Sequence, residues 1–263
     1  MSDGSNLIYV YDGSFDGLLC CVFESYERRE VPTEIIAESD LQPSLFRKVL
    51  IDTDFSHSAR LRRAIPQKIC PQAYEYVWKG YLSCHPQKEM LVLKFLYMGF
   101  KYGARVMTML ADDAVNELFK VVQHLGNEAH LYTGFVRFSD CGGVLIAEIE
   151  PQNSVLPIIM HHFCERFRNE TFMIYDRTHF MALVYSKGRS EIVPIEELVV
   201  PPPDDTEIMY RRLWKTFYDT IAIKERENPR CRMTHMPKHY WACMTEMKDE
   251  LSDSWLLSGG NRA

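Results

Sequence analysis

The feature that most limits the fold of this chain is a change in the spacing of its apolar residues. Between Ser56 and Gly134 they recur every three to four positions: Tyr74, Val77, Trp78 and Tyr81, then Leu91, Phe95 and Met98, then Val115, Leu118, Phe119, Val122 and Leu125. That spacing builds helices with one buried stripe. On either side the period shortens. Leu7-Ile-Tyr-Val-Tyr11, Phe135-Val-Arg-Phe138, Val144-Leu-Ile-Ala-Glu-Ile149, Phe172-Met-Ile-Tyr175 and Phe180–Tyr185 have the length and composition of strands. No internal repeat is present, and the expected class is α+β.

Four segments follow from this pattern. Residues 1–55 read as a β-α-β-β element: a strand over Leu7–Tyr11, a helix over Phe15–Arg29 capped by Ser14, and strands over Glu34–Glu38 and Arg47–Asp52. Residues 56–133 read as helices over Ser58–Lys68, from Pro71, over Gln87–Lys101 and over Asp112–His130. Residues 134–200 read as a ββαββ unit, with hairpins around Cys141–Gly143 and Asp176–His179 and a helix over Val155–Arg168. That content suits a four-stranded sheet with a helix on one face. Residues 201–263 read as helical: a stiff Pro201–Pro203 spacer, a helix over Asp204–Glu225 with Met209, Leu213, Phe217 and Ile221 inward, a short helix over Met236–Cys243 and a frayed Gly259–Ala263 tail. The segments are expected to pack as one or two compact domains.

The net charge of −6 excludes bulk positive charge as a means of coating DNA or membrane. Two stretches are nevertheless basic. His57–Lys68 holds Arg60, Arg62, Arg63 and Lys68 with no acid. Lys224–His239 holds Lys224, Arg226, Arg230, Arg232 and Lys238 against Glu225 and Glu227. Local cations of this kind suit a phosphate backbone, if they do not simply form solvated helix faces. Tyr240 and Trp241 lie beside Lys238, where a ring could stack on a base. Trp214, Phe217 and Ile221 fit a core stripe instead. Acidic residues gather between Glu191 and Glu207.

The eight cysteines form no C-x-x-C pair, the N-terminus is not a secretory signal, and no run approaches the ~18 apolar residues of a membrane span. These features suggest a cytoplasmic protein with reduced thiols, most of them buried. Cys231, His235, His239 and Cys243 have a ligand-like spacing, but Pro237 breaks the helix and four such positions span ~18 Å. No metal and no resident cofactor are expected. Asp12-Gly-Ser-Phe-Asp16 lacks the Lys-Ser/Thr pair of a phosphate loop, though Asp12 sits at a strand end. Of His161 and His162, one should face the core and one solvent. Asp176-Arg-Thr-His179 reads as an Asx turn, or as a polar tip presenting Arg177 and His179 to a ligand.

Three motifs carry a resemblance. Tyr9-Val-Tyr-Asp-Gly-Ser-Phe-Asp-Gly17 with Val22–Tyr26, then His162-Phe163 with Arg166-Phe167 and Ile174–Arg177, then Asn228-Pro-Arg230 with His235–Lys238 and Tyr240-Trp241, resemble in order a bacterial family of DNA metabolism or repair proteins, the domain-of-unknown-function 4130 family. The resemblance spans nearly the whole chain. It implies a partner, a radical-SAM iron–sulfur protein acting in DNA modification or repair. A similar domain also occurs fused to a uracil-DNA-glycosylase-like domain; this chain resembles the stand-alone form. His239 departs from the pattern, which has another basic residue there, usually Arg.

The expected function is therefore DNA repair or DNA metabolism, as an accessory or binding protein rather than a stand-alone catalyst. Arg60, Arg63, Arg230, Arg232 and Lys238 are the candidate phosphate contacts, and Tyr240 and Trp241 the candidate stacking rings. Asp12, Asp176 and His162 are the candidate catalytic residues. An alternative is a nucleobase hydrolase or lyase with Asp12 or Asp176 as general acid or base, in a deep pocket beside a histidine and with a raised carboxyl pKa. Another is a protein-interaction adaptor, docking through the Glu191–Glu207 strip without binding DNA.

Overall fold

A computed structural model describes residues 6–199, 204–221 and 228–247. The Pro201–Pro203 spacer, Lys224 to Glu227 and the Gly259–Ala263 tail lie outside the described residues. The chain divides into two compact units, Met1–Leu125 and Gly126–Ala263. The class is α+β: N-terminal β/α elements, a helical middle, and a strand-rich unit followed by C-terminal helices.

The first unit opens with strand β1 (Leu7–Tyr11), helix α1 (Phe15–Glu27) and strands β2 (Glu34–Ala37) and β3 (Arg47–Leu50). The sheet order is β2-β1-β3, all parallel. Every residue of β1 is buried, which explains its unbroken apolar run. Ser14 caps α1 by accepting from the Gly17 N–H, and Asp54 caps helix α2 (Phe55–Lys68) by accepting from Ser56 N–H. Helices α3 (Pro71–Leu82), α4 (Lys88–Tyr102) and the first part of α5 (Asp113–Phe135) complete the core around Leu18, Ile65, Val77, Phe95 and Leu118. Packing is tight here: a Cβ on Gly80 would lie 2.7 Å from Leu118 Cδ1, so the leucine side chain would have to shift.

The second unit carries a sheet ordered β4-β5-β6-β7-β8: Ser139–Asp140, Leu145–Ile149, Phe172–Asp176, Met181–Ser186 and Arg189–Pro194. Helix α6 (Leu156–Arg166) joins the parallel pair β5 and β6; the other neighbours run antiparallel. Two expectations change. The strand over Phe135–Phe138 does not form, because α5 continues to Phe135 and only Ser139 and Asp140 pair with β5. The sheet also gains a fifth strand. Lys187 (φ 50) and Gly188 (φ 82) both take left-handed backbone, the mirror-image turn that closes a tight hairpin onto β8.

Helix α7 (Asp205–Ile221) overturns a third expectation. Met209, Leu213, Phe217 and Ile221 face solvent, not the core. The helix docks by another side: Arg211 donates to Glu207 and to Ser139 Oγ, and Tyr218 packs on Trp241, Met244 and Met247. Helix α8 (Pro229–His235) and 3₁₀ turns at Lys238–Cys243 and Thr245–Met247 follow. Of the eight cysteines three are buried, three half-buried and two exposed, so fewer than expected belong to the core.

Candidate functional site

Asp12 follows β1, the middle strand of a parallel sheet, at the carboxyl end where such folds place ligands. Its carboxylate is already engaged. Oδ1 accepts from Ser14 N at 2.9 Å and Ser14 Oγ at 2.7 Å, and Oδ2 accepts from Thr53 Oγ1 at 2.8 Å. A Cβ on Gly17 would collide with Asp12 and Thr53, so the turn needs glycine there. Burial alone would raise the Asp12 pKa, but the hydrogen bonds from Ser14 and Thr53 outweigh it and hold it below the ordinary value. A carboxylate kept ionised in this way latches a turn. The raised value expected of a general acid is absent at Asp12.

On α2 the four cations divide by role. Arg62 donates to Asp16 at 3.0 Å and to Tyr74 Oη at 2.8 Å, and so belongs to the fold. Arg60, Arg63 and Lys68 are exposed and form no ion pair among the described residues. Arg60 lies 5.6 Å above the Phe23 ring, which stacks on His57 at 3.9 Å. Phe23, Tyr26, Arg60, Lys68 and Phe100 line a groove of about 320 Å³. Cations here rim an aromatic floor. The sequence pattern hides that floor because Phe23 and Tyr26 fit the buried stripe of α1.

The second basic stretch belongs to the other unit. Arg230 and Lys238 are exposed. Tyr240 and Trp241 are buried, at 2% and 4% exposure, which corrects their assignment as stacking rings. Tyr240 packs on Tyr132 and Phe135, and the Trp241 indole N–H donates to Met236 O at 3.0 Å. Arg232, half-buried, and Lys238 lie 5.1 and 5.7 Å from the Trp241 ring. Cys231 and His235 fall on α8, His239 and Cys243 on the following turn, with Pro237 between. Among the described residues no group of three His, Cys, Asp or Glu could hold a metal ion.

Asp176 ends β6 and is 1% exposed. Its Oδ1 accepts from the N–H groups of Thr178 and His179, at 3.0 and 3.1 Å, and its Oδ2 lies 2.7 Å from His179 Nδ1. The His179 side chain is partly exposed. A buried carboxylate bonded at one ring nitrogen fixes the ring and leaves the other nitrogen outside that bond. Arg177 turns back to Glu148 and Glu150, at 3.6 and 3.2 Å. His161 and His162 are both exposed, so neither faces the core, and Asp176 bonds to Thr178 and His179 rather than to His162. The Tyr132 hydroxyl, on α5, is buried with no hydrogen-bond partner among the described residues. Part of the acidic strip is engaged within the fold: Asp204 caps α7, Glu207 holds Arg211, and Glu196 and Glu197 line a groove with Arg177.

Residues 86–246 match the family model of DUF4130, a domain of unknown function. The chain belongs to the DUF4130 family. The DUF4130 match takes in His162, Asp176, Arg230, Lys238, Tyr240 and Trp241. It leaves out Asp12 and the basic face of α2, so the opening motif lies outside the matched residues. No curated protein and no solved structure matches the chain.

Proposed function

We propose that this protein is a cytoplasmic DNA-repair or DNA-metabolism factor that binds DNA through the exposed face of α2. The single observation that supports this most is the groove that Arg60 and Lys68 line together with Phe23, Tyr26, Glu27 and Phe100, with Arg60 over the Phe23 ring. Cations hold phosphate without reading sequence, and aromatic faces take unstacked bases. Arg63 extends the same helix face, and Arg230 and Lys238 are additional cations in the second unit. The protein works as an accessory. Its partner is a radical-SAM iron–sulfur protein, a reading supported by the family resemblance of the motifs. No helix among the described residues is long and apolar enough to cross a membrane.

Fluorescence anisotropy with single- and double-stranded oligonucleotides over a salt series tests the reading. Affinity should fall linearly with salt on logarithmic axes, and replacing Arg60 and Arg63 by Ala should reduce the slope by about one unit for each phosphate that is no longer neutralised. Absence of binding at low salt, or binding indifferent to both substitutions, overturns it.

The 2.7 Å contact between Asp176 and His179 favours a second reading, a nucleobase hydrolase or lyase. His179 would act as general base, with Asp176 orienting the ring. Release of a free base from a modified oligonucleotide by the wild type, abolished in His179→Ala, would establish it.

A further inference from the structure

The outer face of α7 is apolar and, among the described residues, uncovered. Met209, Tyr210, Leu213, Trp214, Phe217 and Ile221 are 40–60% exposed. With Arg137 and Phe138, four of these six line an open groove of about 530 Å³. Contiguous exposure of this kind marks a surface that something covers.

The geometry points to residues 248–257 of the same chain as the occupant. The path of the chain is the first argument. The last described turn, Thr245–Met247, already lies against α7; Met247 is wholly buried beside Tyr218. Glu246 fixes that turn, since its carboxylate pairs with Arg137 at 2.9 Å, and Arg137 is a groove residue whose guanidinium lies 5.6 Å from the Trp214 ring. The chain is therefore anchored at the rim of the groove when it reaches Lys248.

Length is the second argument. Helix α7 has 17 residues and runs about 25 Å, while ten residues reach up to about 33 Å. Composition is the third. Leu251, Trp255, Leu256 and Leu257 offer large apolar side chains, with Asp249, Glu250 and Asp253 between and before them. Arg137 and Arg211 line the groove with Glu207, and Arg212 on the same helix is exposed. An acidic, leucine- and tryptophan-bearing segment matches an apolar helix face edged by arginine. Docking of this segment removes α7 from water without a second molecule.

A photo-cross-linking amino acid at position 256 of the full-length chain tests the assignment. Mass spectrometry should map the cross-link to residues 209–221 within a monomer. Leu213→Asp should lower the yield about tenfold, because a buried leucine contributes that much to a docking equilibrium. Leu213 is exposed, so circular dichroism should be unchanged; Phe217→Ser serves as a second variant. A covalent dimer joined through α7 would make a second copy the occupant and overturn the proposal. A cross-link outside α7, no cross-link, or a yield indifferent to both variants would overturn it as well.

Discussion

Tyr11 donates its hydroxyl hydrogen to Glu89 across 3.1 Å, tying the central strand of the first unit to α4. Burial pushes the Glu89 carboxyl above the ordinary glutamate value; its own backbone N–H, Lys88 and Tyr11 offset only part of this. The folded state therefore holds a proton more tightly than the unfolded chain. The resulting stability is present below the unfolded glutamate pKa and is lost as pH rises through the folded value. Glu89→Gln should remove that pH dependence. Urea midpoints of the two proteins should converge at acid pH and separate, with the variant the more stable, as pH rises.

Asp12 has the opposite slope. Its folded pKa lies below the ordinary value, so its stability is present above the unfolded pKa and fades as pH falls through the folded one. Asp12→Ala should cost about 1–2 kcal/mol near neutrality, since Ser14 and Thr53 lose their acceptor. The deficit should shrink at low pH. A deficit that stays constant across the series would mean the carboxylate charge contributes nothing to the turn.

Arg62 and Arg60 sit two residues apart and should separate stability from binding. Arg62→Ala removes the partner of Asp16 and Tyr74 and should cost about 1 kcal/mol, with the salt dependence of DNA binding unchanged. Arg60→Ala should leave the unfolding midpoint in place and lower DNA affinity. A uniform effect of both on affinity would argue for general electrostatics instead of the groove.

Trp241 tests the reassignment of the aromatic pair. Truncation of a buried tryptophan costs about 3–5 kcal/mol, so Trp241→Ala should destabilise the second unit strongly. An exposed stacking ring would instead lower affinity and spare the fold. Tyr132→Phe, which removes a hydroxyl with no partner among the described residues, should be neutral or stabilising.

What the sequence reveals follows the range of each interaction. β1 is legible because a strand buried on both faces must be apolar throughout. Ser14 and the Asp176 turn are legible because their partners lie within three residues. The Tyr11–Glu89 bond spans 78 positions and leaves no local trace. β8 is hidden because its exposed, charged face reads as loop, and only Gly188 marks its hairpin. On α7 periodicity finds the apolar stripe but says nothing of what covers it. On Tyr240 and Trp241, proximity to lysine suggests a binding surface, while the Lys238 side chain in fact lies over a ring packed among Met244, Met247 and Tyr218.

His179 is the last test, and it separates a hairpin latch from a chemical group. In both cases the ring meets Asp176 at 2.7 Å, and in both cases Asp176→Asn should destabilise the turn by about 1–3 kcal/mol, because the carboxylate is buried and serves three donors. His179→Gln keeps a polar side chain on the turn and is the more telling change. If the histidine only closes the hairpin, the variant should lose about 1 kcal/mol and nothing else. If the other ring nitrogen removes a proton from water or a base, base release should fall by a factor of about 100 or more while the unfolding midpoint barely moves. Parallel measurement of melting and of base release from a panel of modified oligonucleotides decides between them.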